Sequence, residues 1–113
     1  MASLRVPDDP LYLLLREGNI DEFNRRRQAG EPCDLRDSDL RGLDLRGLDA
    51  NGLDLSGCYL RQCDLRGVDL SGSRMEGCSI SGARIAGALF PVALPPEEIH
   101  LSLQHGTRMR YRV

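Results

Sequence analysis

The sequence predicts an all-β solenoid, and three observations predict it. From Cys33 to Val92 the chain repeats every five residues, twelve times without an insertion. The middle residue of each unit is apolar: Leu35, Leu40, Leu45, Ala50, Leu55, Leu60, Leu65, Leu70, Met75, Ile80, Ile85 and Phe90. The last residue is Gly in nine of the twelve units. A period of five matches neither the roughly 3.6 of a helix nor the 2 of a strand, so no single regular element buries every centre. The chain must turn once per unit, and glycine supplies the backbone freedom such a corner needs.

Two residues before each centre stands a second, smaller or softer group, from Cys33, Ser38, Leu43 and Leu48 through to Ala88. In a short extended segment these two positions point to the same side, inward. The residue between them, Asp in seven units, points outward, as does the residue after the centre, Arg in five. Units such as SDLRG, LDLRG and CDLRG resemble the pentapeptide repeat family, whose loose consensus is A(D/N)LXX, and the resemblance holds at every repeat over about half of the chain. It implies a right-handed quadrilateral β-helix with four repeats per coil, hence about three coils, a hand that agrees with the rule for parallel crossovers. Residues twenty apart then stack, giving inner columns such as Leu35, Leu55 and Met75 or Leu40, Leu60 and Ile80. The filled bore leaves no room for a ligand.

At 113 residues, 41% hydrophobic and 28% charged, the chain reads as one globular domain. Three segments follow: an N-terminal helical cap at 1–32, the repeats at 33–92, and a C-terminal cap or dimerisation segment at 93–113. A net charge of −2 is too mild for a polyanionic partner, and no segment is strongly one-signed. The start MASLRVPDDP has no basic stretch leading into an apolar run, and no apolar run spans a bilayer, so a cytoplasmic location with no membrane partner is expected. Cys33, Cys58, Cys63 and Cys78 all fall in the small inward position, where buried thiols serve as small hydrophobes. Cys58 and Cys78 share a column and are near enough for a disulfide, against which a reducing cytoplasm argues. No CxxC spacing suggests zinc, and no cofactor is expected.

In the N-terminal segment, Pro10 suits a first helical turn, Leu11, Leu14 and Leu15 give one face, and Gly18-Asn19 breaks it. A second helix starts near Ile20 with Asp21 and Glu22 in its first turn and ends with Arg25, Arg26 and Arg27 before Gly30. A solenoid end exposes unpaired edges, so a helical hairpin reads most simply as a cap. The alternative is that the three arginines take phosphate or an acidic surface.

On the outside of the coils the register stacks Asp54 with Arg74 and Asp64 with Arg84, so ion pairs are expected across coils. Arg41 and Arg61 stack on one face and Arg46 and Arg66 on the next, a basic corner, with Tyr59 interrupting the aspartate position beside it. An outward aromatic among arginines has the composition of a binding hot spot, which makes these five residues the candidate partner contact.

After Phe90 the repeat stops at Pro91. Pro95-Pro96-Glu97-Glu98 reads as a helix start and Gly106 as its stop, although Ile99, Leu101 and Leu103 alternate as a strand would. As a helix it carries Ile99 and Leu103 on one face and Leu101 nearly opposite, two apolar sides that call for the rod end and a second subunit. The tail TRMRYRV alternates Met109 and Tyr111 against Arg108, Arg110 and Arg112 and reads as a short strand. Ile99, Leu101, Leu103, Met109 and Tyr111 are therefore the expected interface of a homodimer, an arrangement the family resemblance also implies. His100 and His105, five apart, lack metal spacing and read as surface or interface groups.

No nucleophile is paired with a base and no phosphate loop or metal cluster is present in the sequence, so the expectation is a non-enzymatic protein–protein interaction module or scaffold. The alternative implied by the resemblance is a DNA-mimicking modulator of DNA gyrase or topoisomerase. Duplex DNA carries about one charge per 1.7 Å. The repeats hold seven basic and nine acidic groups, a nearly neutral surface that speaks against mimicry and against nucleic acid as a partner.

Overall fold

A computed structural model describes residues 4–112. All but the first and fourth five-residue units place one outward residue in a parallel bridge and then turn. Asp39 pairs with Tyr59 and Tyr59 with Ser79; Asp44 pairs with Asp64 and Asp64 with Arg84; Asp54 pairs with Arg74, and Asp69 with Leu89. The twenty-residue register is therefore real. Regular strands are not, among the described residues: one bridge per face leaves no length for a ladder before the next corner.

Two sets of backbone hydrogen bonds build this geometry. Between levels, the Leu40 amide donates to the Tyr59 carbonyl at 2.9 Å and the Leu60 amide to the Ser79 carbonyl at 2.8 Å. At each corner the amide of the small inward residue returns to the previous centre, as Cys58 does to Leu55 at 3.0 Å and Val68 to Leu65 at 3.1 Å. These are i to i+3 turns. Asp37 and Gln62 take the left-handed corner conformation that glycine holds elsewhere, with φ of 57° and 60°. Gly57, at φ 73°, also packs against Asp37, so a side chain there would meet the Asp37 carboxylate as well as backbone strain.

The centres fill the bore. Leu35, Leu40, Leu60, Leu65, Leu70, Met75 and Ile80 are fully buried, with Leu45, Ala50 and Leu55 at 1% exposure. Ile85 and Phe90, at the last coil, are only partly covered. The cysteines are free; the thiols of Cys58, Cys63 and Cys78 donate to the carbonyls of Leu35, Leu40 and Leu55 at 2.8, 2.8 and 2.9 Å.

The N-terminal end is closed by two helices, α1 (Pro10–Arg16) and α2 (Ile20–Gln28). Asp9 caps α1 by accepting from the Leu11 amide, and Asn19 caps α2. Leu11, Tyr12, Leu15 and Phe23 are buried in the same core as the coil centres. The Asn24 side-chain amide donates to the Gly47 carbonyl and accepts from the Asp49 amide, both at 2.9 Å, and so stands in for a peptide of a preceding coil. Ahead of the helices, Arg5 adds a rung that sequence reasoning missed, with its amide donating to Asp37 and its carbonyl accepting from Asp39. The arginine run at the end of α2 is held in place: Arg25 and Arg26 pair with Glu22, and Arg27 donates to the carbonyls of Asp49 and Asn51.

At the other end lies α3 (Pro96–His105), which settles the helix against the strand alternative. Its rod-facing side carries buried Glu98 and Ser102 beside Ile99 and Leu103. The Ser102 hydroxyl accepts from the Ile80 amide and donates to the Thr107 carbonyl. Residues 107–112 form no strand and cross the coil at Met75, Gly77 and Cys78. Glu98 holds the Arg110 guanidinium and its amide, the Tyr111 hydroxyl accepts from the Met75 amide, and the Met109 backbone bonds to Gly77 and Cys78.

This corrects the expected dimer interface. Met109 is fully buried within its own chain and Tyr111 is partly buried against Met75, so neither presents a free apolar face. Ile99 and Leu103 pack on the core, and of the five only Leu101 is exposed.

Candidate interaction face around Tyr59

The charge pattern of the coils comes from a local device. In each Asp-Leu-Arg unit the aspartate folds onto the residue two ahead, so Asp44 Oδ1 accepts from the Arg46 amide at 3.1 Å. The arginine then returns its guanidinium to the same carboxylate, Nε to Oδ1 at 3.0 Å and Nη2 to Oδ2 at 2.7 Å. Asp34 with Arg36, Asp39 with Arg41, and Asp64 with Arg66 repeat the arrangement. The two-pronged hydrogen bond holds the Asp34 carboxyl down to about 2 and lowers Asp39, Asp44 and Asp64 from the usual carboxylate range. The expected pairs Asp54 with Arg74 and Asp64 with Arg84 stack as backbone bridges but form no ion pair, because each aspartate already faces the amide two residues on. One cross-coil pair does form, Arg46 to Asp64 at 3.4 Å.

Arg46 and Arg66, offered by the sequence as part of a basic corner, are therefore neutralised on their own face by Asp44 and Asp64. Arg41 is likewise held by Asp39 at 2.7 Å. The unit CYLRQ departs from this. Tyr59 occupies the aspartate position, so Arg61 has no carboxylate two residues behind it. Its Nε donates to the Ser79 hydroxyl at 2.8 Å and its Nη2 to the Gly106 carbonyl at 3.1 Å, while Ser79 donates to that same carbonyl at 2.9 Å.

A further arginine joins it from the tail. Arg108 Nη1 donates to the carbonyls of Gly57 and Gly77 at 3.0 and 2.7 Å. The guanidinium carbons of Arg61, Arg108 and Arg41 lie 4.3, 5.0 and 5.7 Å from the Tyr59 ring centre, within the range of cation–π attraction. The structure thus brings together Tyr59, Arg41 and Arg61 as the sequence suggested, leaves Arg46 and Arg66 apart, and adds Arg108. The alternation of the tail put Arg108 on an outward side; nothing in it showed that the tail crosses back over the corner at Gly57.

The cysteines behind these faces are inert by burial. Desolvation pushes the Cys58 thiol up to about 12 and the Cys63 and Cys33 thiols to about 11. No helix among the described residues is long and apolar enough to cross a membrane.

Twenty-residue rows of single bridges around a filled apolar bore define a parallel solenoid. The family model for pentapeptide repeats, in eight copies, matches residues 33–67 and 54–90, over half of the chain. The chain belongs to the pentapeptide repeat family, whose members form right-handed quadrilateral β-helices and serve generally as protein-interaction modules. Neither the curated proteins nor the solved structures give a match.

Proposed function

We propose that this protein is a non-enzymatic scaffold that binds another protein through the face around Tyr59. The observation that carries the reading is the pair Arg61 and Arg108. Both guanidiniums rest on carbonyl and hydroxyl oxygens beside an outward, half-buried tyrosine, and neither makes an ion pair among the described residues. Every other arginine of the Asp-Leu-Arg units is matched to an aspartate of its own unit. A preorganised aromatic and arginine cluster is what interface hot spots are made of. Affinity capture from a native lysate tests it: a protein retained by the wild-type chain and lost with a Tyr59→Ala, Arg61→Glu double substitution supports the reading, and an identical set from both overturns it. Nothing favours the DNA-mimic alternative, since the coil arginines cancel the aspartates that mimicry would need.

A second reading, that the scaffold is a homodimer, has its own support at the C-terminal end. The tail and α3 occupy the amides of Met75, Gly77, Ile80 and Gly82. The amides of Ile85, Gly87 and Phe90 have no hydrogen-bond partner among the described residues, and Leu89 and Val92 in the same stretch are 56% and 93% exposed. An open edge with apolar neighbours is a surface for a second copy. The mass of the particle in solution by light scattering tests this: a dimer that Leu89→Glu converts to monomer supports it, and a monomer at high concentration contradicts it.

A further inference from the structure

The Tyr59 face carries more information than a general stickiness, because its unused donors define what it takes. A guanidinium has five N–H donors and keeps its charge at any physiological pH. Arg61 spends Nε and Nη2 on Ser79 and Gly106, and its Nη1 makes no hydrogen bond to the described residues. Arg108 spends Nη1 on Gly57 and Gly77, and its Nε and Nη2 make none. Arg41 is already held by Asp39. Two positive charges therefore remain beside one ring, fixed in place by neutral oxygens and left without counter-charge. The ring attracts them but does not cancel them.

We propose that this face takes an acidic segment of a partner protein, with one carboxylate on Arg61 and a second on Arg108. The inference rests on the reading of the Tyr59 face as an interaction surface and gives that surface its chemistry. Carboxylates fit because a guanidinium edge with free N–H groups binds them in a forked, planar geometry. Two of them fit because the arginines come from different elements and are anchored at different places, Arg61 at Gly106 and Arg108 at the corner of Gly57 and Gly77. The aromatic ring gives the intervening chain an apolar seat. Anchoring in advance also reduces the side-chain freedom lost on binding. A nucleic acid is the poorer occupant, since its phosphates call for a row of free cations, whereas on the neighbouring face Arg46 and Arg66 are bound to Asp44 and Asp64 and only Arg84 is left unpaired among the described residues.

The test is an NMR titration of the full chain with three capped hexapeptides: Gly-Gly-Glu-Glu-Gly-Gly, its Gln-Gln counterpart, and a counterpart with one phosphoserine in place of the acidic pair. The expected result is saturable shifts at the Arg61 and Arg108 Nε–H groups and the Tyr59 ring with the Glu-Glu peptide. Binding should weaken at least about tenfold between roughly 50 and 500 mM salt, as exposed charges are screened. It should weaken as much in Arg61→Gln with Arg108→Gln. A second variant, Tyr59→Asp, restores the unit pattern of the neighbouring face and should also lose the peptide while remaining folded. Equal shifts with the Gln-Gln peptide, shifts centred on Arg25 to Arg27 instead, or binding of the phosphoserine peptide alone would each overturn the proposal. If a partner is captured from lysate through Tyr59 while the Glu-Glu peptide produces no shift, the acidic segment is wrong and the interaction surface stands.

Discussion

Two adjacent faces of the solenoid are built on the same plan and carry opposite electrostatic outcomes. One presents Asp44, Asp64 and Arg84 with Arg46 and Arg66, and each aspartate on it is paired with the arginine of its own unit. The other presents Asp39, Tyr59 and Ser79 with Arg41 and Arg61, and Arg61 is turned onto a hydroxyl and a backbone carbonyl. The backbone register is the same, and so is the buried centre: Leu60 and Leu65 both have no exposure. What separates the faces is the residue two places before the arginine. In a repeat protein, charge at the surface is thus set locally, and the residue in the outward position decides whether the arginine two places on is paired within its own unit.

If the interiors are equivalent, Leu60→Ala and Leu65→Ala should destabilise alike, each by about 2 to 5 kcal/mol, because both leave a cavity in a filled bore. Thermal unfolding that showed one of them nearly neutral would break the equivalence. A next, smaller effect concerns Tyr59→Asp. Stability should fall by about 1 kcal/mol, because the cation–π contacts of a half-buried ring are lost, while binding of the acidic peptide should fall at least about tenfold, near 1.4 kcal/mol.

Alkaline pH sharpens the same point from inside. Cys58 lies behind the Tyr59 face and Cys63 behind the Asp64 face, and burial raises both thiols from an ordinary value of 9.0, to about 12 and about 11. Folded thiols then keep their protons where unfolded ones have lost them. The stability they contribute is whole below pH 9 and drains away as pH climbs toward 11 to 12. The melting temperature should fall over that range, and less steeply in a Cys63→Ala chain. At the small end, Asp44→Asn removes one exposed pair on the neighbouring face. It should cost no more than a few tenths of a kcal/mol and leave peptide binding unchanged.

Much of this was legible in the residues. The five-residue period marked the inward positions and the corners, because neither a helix nor a strand buries centres at that spacing, and the resemblance to pentapeptide repeats implied the twenty-residue register that the bridges follow. Gly18-Asn19 and the Asp21, Glu22 start marked two helices correctly, for the local reason that caps and breakers act within one turn. The direction of the ion pairs was not legible. Stacking put Asp54 beside Arg74 and Asp64 beside Arg84, yet Asp54 is bound to the Ser56 amide and Asp64 to the amide and guanidinium of Arg66. The fate of the tail was also hidden. Met109 and Tyr111 alternate as an interface strand would, but Glu98 ties down Arg110 and Ser102 fixes Thr107, contacts between residues whose sequence separation gives no periodic signal. Arg108 reaches Tyr59 only because of that path.

The most direct test of the two-face account is the ionisation of the carboxylate introduced by Tyr59→Asp, followed by carbon-detected NMR alongside Asp44 and Asp64. The account predicts that Arg61 leaves Ser79 and Gly106 for the new carboxylate, whose pKa then falls below the ordinary 3.8, the direction in which the guanidiniums of Arg46 and Arg66 hold Asp44 and Asp64. A carboxylate that titrates at the ordinary value, with Arg61 still bound to Ser79, would contradict it, because the free charge on this face would then have a cause other than the residue at position 59.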